Sequence, residues 1–393
     1  MDYMKILHLT KSGTGGAHIA ARRISDSLRM LGHDSRVEVL ADSLYFGVNL
    51  SKFQAKVDFA NEKFSMAAMT TSITRSYSSS KTILPEKSDL DVVNLHWMPG
   101  LLHQKFIDRL REVSRVVWTM HDMNVFTGIC HHSSGCRSFE KNCGSCPQFV
   151  FPKMQVPTSV LRQKKSYLEQ LEKASFIAPS EWLKGEALAS ELLHKKRIDV
   201  VPNPTNNDLL ARESNLTLKA RLGLRSGVPI FAILGANYGE QKGGARALQE
   251  IVDFINLTGM EIQVVILGEK HQIIENIKVV STLEHPQIAF EEILQICDLY
   301  IHLSEFENLP NIIIEAQSLG VPVVALDRGG VRETVMNGVT GFIIKDGSEF
   351  RDAMNWFLNS LSDDNLAETI KSFARSKFEQ TKIASAYLEI YSH

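Results

Sequence analysis

Two glutamates, Glu307 and Glu315, stand either side of Asn308-Leu-Pro-Asn-Ile-Ile-Ile314. The apolar run before them ends near Leu303 and reads as a strand. A loop with Glu305 and Glu307 follows, and then a helix that Pro310 suits as its first residue. Such a helix turns unpaired N–H groups and the positive end of its dipole toward an anion, for which a diphosphate is a good match. Glu315 lies about five residues further, roughly 7 Å along the axis. A carboxylate there repels phosphate but accepts hydrogen bonds from a vicinal diol such as a ribose. Glu307 precedes the helix, where a sugar hydroxyl would lie, and Asn308 and Leu309 between them complete a substrate-binding strip. One helix end can therefore read sugar, diphosphate and ribose in order.

Four further segments carry chemistry. Ser12-Gly-Thr-Gly-Gly-Ala-His18 follows the first apolar run, and Gly15 and Gly16 there permit positive φ and close approach of backbone to a ligand. The pattern is not G-x-G-x-x-G, and a tight structural turn is its competitor. The loop Gly235–Gly244 fails the phosphate-loop pattern, because Lys242 sits between Gln241 and Gly243. His121 closes the run Val116–Met120, so it is expected at the mouth of a cleft. Cys130, Cys136, Cys143 and Cys146 cluster within one loop, and Cys143-x-x-Cys146 has the spacing of half a zinc knuckle. Four thiolates suggest a closed, structural zinc site. Disulfides, thiols and an iron–sulfur site are the alternatives, with His131 and His132 as substitute ligands.

The elements that must position these residues alternate between short apolar runs and longer amphipathic segments. Twelve strands are expected: Lys5–Leu9, Arg36–Leu40, Asp91–Leu95, Val116–Met120, Ser175–Ala178 and Ile198–Val201, then Pro229–Leu234, Ile262–Leu267, Gln287–Phe290, Asp298–Leu303, Pro322–Leu326 and Phe342–Ile344. Continuous apolar runs mark parallel strands buried on both faces. The expected fold class is α/β, two doubly wound Rossmann-like domains facing a cleft. Residues 1–202 form the first domain, with the Cys-rich loop 130–146, and residues 203–372 the second. Pro202-Asn203-Pro204 is the hinge, and residues 373–393 are a terminal helix with Phe378, Tyr387 and Tyr391. Phe53, Val57, Ala60 and Phe64 recur at helical spacing, either on a core-facing helix or on a membrane-surface one. Thr70–Ser80 reads as a loop.

Composition bounds the rest. The 393 residues include 43 basic and 45 acidic side chains, a net charge of −2, which gives no footprint for nucleic acid. No apolar run approaches the roughly 18 residues of a membrane span, and the apolar N-terminal stretch is too short for a signal peptide. Five cysteines without such a signal fit the reducing cytosol.

The chain resembles the family 4 retaining glycosyltransferases of the GT-B fold. The resemblance rests on Glu307 and Glu315, the following Gly320-Val-Pro-Val-Val-Ala325, the glycine-rich loop and the Lys242-Gly243 loop. It implies a nucleotide-diphosphate sugar as donor and a glycan or lipid-linked saccharide as acceptor. It also implies hexose transfer with retention, and chemistry that needs no metal. On that reading Gly15 and Gly16 border the diphosphate and acceptor, and Lys242 neutralises the departing diphosphate. His121 and Glu307 hold the sugar, and Glu315 the ribose. Many members carry an arginine shortly before the lysine, where this sequence has Asn237 and Tyr238. The cysteine cluster resembles that of a subset of bacterial exopolysaccharide and O-antigen enzymes. A cytoplasmic protein is expected, and a lipid-linked acceptor would give it peripheral contact at the inner face of the plasma membrane. The terminal helix would cross back onto the first domain. Loop glutamates contribute little to a core, so loss of Glu307 is expected to spare folding. A Rossmann oxidoreductase, a silent nucleotide-sugar-binding protein, and a phosphorylase or epimerase of the same broad fold are the other readings.

Overall fold

The computed structural model describes residues 3–40, 89–148, 155–205, 216–270 and 277–393. The Phe53–Phe64 segment and the Thr70–Ser80 loop lie outside the described residues. The chain divides into two compact units, one of Met1–Asn203 with Thr381–His393 and one of Pro204–Gln380.

The first unit is built on six parallel strands, β1 (Lys5–Thr10), β2 (Asp34–Val39), β3 (Val92–Leu95), β4 (Arg115–Thr119), β5 (Ser175–Ala178) and β6 (Ile198–Val200). Their order is β2-β1-β3-β4-β5-β6, so strand order reverses at β1. Helices α1 (Gly16–Met30), α2 (Gln104–Leu110), α3 (Val156–Gln170) and α4 (Glu181–Ala189) connect them. Alternate residues of each strand feed opposite faces, as the two-residue period of a strand requires. Leu7, Val93 and Trp118 enter one core cluster. Ile6, Val92 and Val117 enter another.

The second unit repeats the plan with β7 (Ile230–Leu234), β8 (Gln263–Leu267), β9 (Lys278–Ser281), β10 (Leu299–His302), β11 (Val323–Leu326) and β12 (Gly341–Ile344). The order is β12-β11-β10-β7-β8-β9, all parallel, with the reversal at β7. Its helices are α5 (Leu216–Arg221), α6 (Gly244–Thr258), α7 (Phe290–Gln295), α8 (Asn311–Leu319), α9 (Phe350–Ser360) and α10 (Leu366–Phe378). One expected strand is misplaced. Gln287–Phe290 runs into α7, where the Glu292 carboxylate accepts from the Ala289 N–H at 2.9 Å and so caps the helix. The edge strand is Lys278–Ser281 instead, whose Val279 and Val280 are too short a run to announce it.

The expected single terminal helix is broken. Glu379 is extended at φ −63°, ψ 134°, ending α10, and α11 (Gln380–Ser392) begins afresh. Helix α11 packs on the first unit, where Ile383, Tyr387, Leu388 and Tyr391 close the face formed by Ile6, Val92, Val117 and Ile177. Two buried polar links fix its seating. The Asn94 amide donates to the Tyr391 hydroxyl at 2.6 Å, and the Tyr387 hydroxyl lies 3.3 Å from Thr119 Oγ1. Among the described residues no helix is long and apolar enough to cross a membrane.

Removing the Tyr391 hydroxyl leaves a buried amide without that acceptor. Tyr391→Phe is expected to cost about 1–3 kcal/mol, seen as a lower thermal midpoint. An unchanged midpoint would mean that α11 is not seated this way in solution.

Candidate active site

Ligands of doubly wound sheets bind beyond the carboxyl ends of the strands where strand order reverses. In the second unit that point lies between β7 and β10. The β7–α6 loop carries Lys242, and Gly243 after it has φ +73°. A side chain on Gly243 would place its Cβ 1.9 Å from the Leu303 carbonyl oxygen, so only glycine lets this loop rest on the end of β10. The Glu305 N–H donates to the Gln241 carbonyl at 2.9 Å and stitches the two loops together.

Glu307 is only 7% exposed. Its Oε1 accepts from Lys242 Nζ at 2.7 Å and from His302 Nε2 at 3.0 Å. A carboxylate only accepts, so His302 carries its proton on Nε2, and its Nδ1 accepts from the Tyr300 hydroxyl at 2.7 Å. Burial alone would raise the Glu307 carboxyl, but the Lys242 charge and the His302 hydrogen bond outweigh it and hold the group well below the usual range. Among the described residues Oε2 has no hydrogen-bond partner. The expectation that Glu307 matters little to folding is therefore revised, because this loop glutamate anchors Lys242, His302 and, through it, Tyr300.

The other expected residues surround this centre. Asn308 and Leu309 are buried, and the Asn308 carbonyl accepts from the Gly330 N–H at 2.7 Å. Pro310 is the extended N-cap of α8 rather than its first helical residue. Glu315 lies within α8, 7% exposed. Burial, then the Glu315 charge, raises the Tyr238 phenol, so Tyr238 neighbours this carboxylate. Glu305 binds Arg246 of α6 and, at 3.0 Å, Arg328 after β11. Neither arginine is recognisable as a site residue from the sequence, since only the fold brings them to one carboxylate.

In the first unit Gly15 is the N-cap of α1 at φ +86°, followed by Gly16. His121 follows β4 and is half-buried. His121 Nε2 lies 2.9 Å from His96 Nδ1, and His96 Nε2 lies 2.9 Å from His8 Nδ1. His8 and His96 escape sequence reading because each is a single polar residue in or beside an apolar strand. Beside them Asp122 takes His131 Nδ1 at 2.5 Å, Trp97 Nε1 at 3.0 Å and the Asn124 N–H at 2.8 Å. Burial opposes its charge, yet His131 and the Asn124 N–H hold the carboxyl at about 2. A cavity of about 50 Å³ is lined by Trp97, Trp118, His121, Asp122 and Tyr167. Lys164 also lines it and donates to the Thr127 and Gly128 carbonyls at 2.9 and 3.2 Å, while burial lowers its ammonium to about 8.

The zinc expectation finds no support. Among the described residues no three His, Cys, Asp or Glu side chains gather to hold a metal ion. The cysteines are thiols in the structure. Cys143 joins the main core cluster, and Cys146 packs with Ile129. Burial raises the Cys130 thiol to about 12 and raises Cys143 too. Cys143 Sγ also accepts from the Gly128 N–H at 3.2 Å, and Cys136 Sγ from the Ser138 N–H at 3.4 Å.

Residues 220–377, nearly the whole second unit, match the glycosyl transferases group 1 family. A putative colanic acid biosynthesis glycosyl transferase of Escherichia coli K12 is 22% identical over 78% of this chain and 74% of its own length. A Vi polysaccharide biosynthesis protein of Salmonella typhi is 47% identical over 53 residues, which is 14% of this chain and 9% of that protein. Among solved structures, Anabaena HepE in complex with UDP-glucose aligns with TM-score 0.59 at 18% identity, over 99% of this chain and all of that one. The lipopolysaccharide glycosyltransferase WaaG aligns with TM-score 0.59 at 13% identity, over 98% and 99%. The fold is GT-B, and the resemblance to the family 4-like glycosyltransferases holds.

The buried histidines make stability acid-sensitive. Burial lowers His8 to about 3 and His121 to about 4, against 6.5 in an unfolded chain. The unfolded state then binds more protons below the unfolded value, so stability falls with pH, by roughly 2 kcal/mol per histidine at about pH 5. Thermal midpoints are expected to drop steadily as pH is lowered from about 7 to 5. A flat profile over that range would contradict the burial.

Proposed function

We propose that the chain moves a hexose from a nucleotide-diphosphate sugar to a glycan or lipid-linked saccharide acceptor, with retention, in bacterial surface polysaccharide synthesis. The observation that carries this reading is the Lys242–Glu307 pair at the reversal point of the second sheet, with Glu307 Oε2 left over for a ligand. The neighbour whose complex contains UDP-glucose and the relative named for colanic acid synthesis support the substrate class.

Glu307 accepts a hydroxyl of the donor sugar on Oε2 while Oε1 stays tied to Lys242 and His302. Lys242 has further N–H donors to share with the diphosphate, whose charge grows as the sugar–phosphate bond breaks. The N-terminal end of α8, reached through Asn308 and Leu309, favours the same anion. Glu315 accepts from the ribose hydroxyls. On the first unit, Gly15, Gly16 and His121 are substrate contacts. The electron pair of the breaking bond goes to the leaving phosphate oxygen, the acceptor oxygen bonds the anomeric carbon on the same face, and the acceptor proton passes to that phosphate. No side chain is assigned as nucleophile. The protein supplies orientation and charge stabilisation. A lipid-linked acceptor would bring the protein to the inner face of the plasma membrane.

Glu307→Gln keeps the shape and removes the charge. It is expected to lower transfer by about 100-fold or more, in line with losing a charged group that stabilises the transition state. A thermal-shift panel of UDP, GDP, ADP and CMP sugars selects the donor, and NMR of the product reads its anomeric configuration. Wild-type turnover in the variant would sink the role of Glu307, and an inverted product would sink retention.

A further inference from the structure

Nothing in the proposed transfer uses the cavity of the first unit. It lies among the residues at and beyond the carboxyl ends of β3 and β4 and those of α3, all within Met1–Asn203. That edge of the sheet is the one on which doubly wound folds hold their ligands. Its volume of about 50 Å³ is room for roughly three to five waters. A whole sugar ring does not fit there, but a side branch the size of an acetamido group does.

Met98, Trp118, Ile129 and Val160 give the cavity an apolar wall. Asp122 and Tyr167 also line it, and their hydrogen-bonding needs are opposite. Asp122 Oδ2 accepts from His131 and Trp97, whereas Oδ1 accepts only the Asn124 N–H among the described residues. A carboxylate oxygen has room for a second donor. The Tyr167 hydroxyl accepts from Gln163 Nε2 at 2.9 Å, and among the described residues its own hydrogen has no acceptor. Lys164 brings a charge to the cavity but spends its N–H groups on the Asn124, Thr127 and Gly128 carbonyls.

One acceptor, one donor and an apolar wall are the complement of a small secondary amide. Its N–H would donate to Asp122, its carbonyl would accept from Tyr167, and its methyl would cover the wall. A phosphate or a carboxylate fits badly, because the bonds from His131 and the Asn124 N–H keep Asp122 charged. A bare hydroxyl fits less well than the amide, because it leaves the apolar wall uncovered.

We propose that this cavity is a subsite for the acetamido group of a 2-acetamido sugar in the acceptor. The proposal rests on the reading of the acceptor as a glycan and narrows it to one class of sugar. The sugar ring itself stays outside the cavity, and the contacts that select it belong to the first unit alone.

Saturation-transfer NMR and calorimetry on the full chain test this, with the methyl glycosides of N-acetylglucosamine, N-acetylgalactosamine, glucose and galactose as probes. The acetyl methyl is expected to receive the strongest saturation. At least one N-acetyl glycoside should bind about ten-fold or more tightly than its 2-hydroxy counterpart, from one buried methyl and two hydrogen bonds. Val160→Phe grows into the cavity and should erase that preference while the thermal midpoint is kept. Val160→Ala enlarges the cavity and should admit the N-propionyl analogue. If Val160→Phe does not fold, Tyr167→Phe removes only the donor and should weaken the N-acetyl glycoside roughly 2–10-fold with no effect on the 2-hydroxy one. Equal binding of the two kinds of glycoside, binding of neither, or a preference that survives these substitutions in folded protein would overturn the subsite. Transfer with equal efficiency to acceptors with and without the N-acetyl group would do the same and leave the transferase reading standing. Selective N-acetyl binding by a chain that transfers no sugar would instead overturn the transferase reading alone.

Discussion

A carboxylate taken out of water has to be matched by donors and by opposite charge, or it does not stay ionised. At Glu307 that requirement organises the loops of the second unit. Lys242 supplies the charge from the β7–α6 loop, and His302 supplies the N–H from the end of β10. Neither is in reach unless the two loops lie against each other, which Gly243 allows and the Glu305-to-Gln241 hydrogen bond enforces. The buried charge, the missing Cβ and the strand order are three aspects of one constraint.

The first unit meets a related difficulty by other means. Its polar chain links three histidines in series. Beside it Asp122 carries a charge that an imidazole, an indole and a backbone N–H share. One unit therefore presents an ion pair and the other a polarised but neutral array. The first suits a ligand with growing negative charge, the second a ligand that is polar and uncharged.

Much of this architecture is legible in the sequence, because parallel strands covered on both faces must be apolar along their whole length. The runs at Pro229–Leu234 and Asp298–Leu303 announce β7 and β10 for that reason, and the loops after them hold Lys242 and Glu307. Strand β9 is hidden because two valines at a sheet edge carry no pattern, while Ile288 and Phe290 imitate a strand next to a helix cap. Tyr300 and His302 are hidden because they sit inside an apolar run, where periodicity marks them as core. Arg246 and Arg328 are 82 residues apart in sequence and meet only through Glu305. The cysteines are a separate case. Their spacing suits a metal, but packing draws Cys143 into the core and leaves Cys136 nearer the surface.

The return of α11 to the first unit bears on how the protein is made. The face formed by Ile6, Val92, Val117 and Ile177, which Ile24 and Leu28 of α1 cover in part, is completed only when Ile383, Tyr387 and Tyr391 arrive. The ribosome must first synthesise all of Pro204–Gln380, which takes about 10–35 s at roughly 5–20 residues per second. Throughout that interval the nascent first unit exposes an apolar surface that its own later sequence will cover. The second unit is synthesised in full before the last segment of the first. A holdase that shields that face during translation would act on this chain at one definable stage, between the emergence of β6 and that of α11.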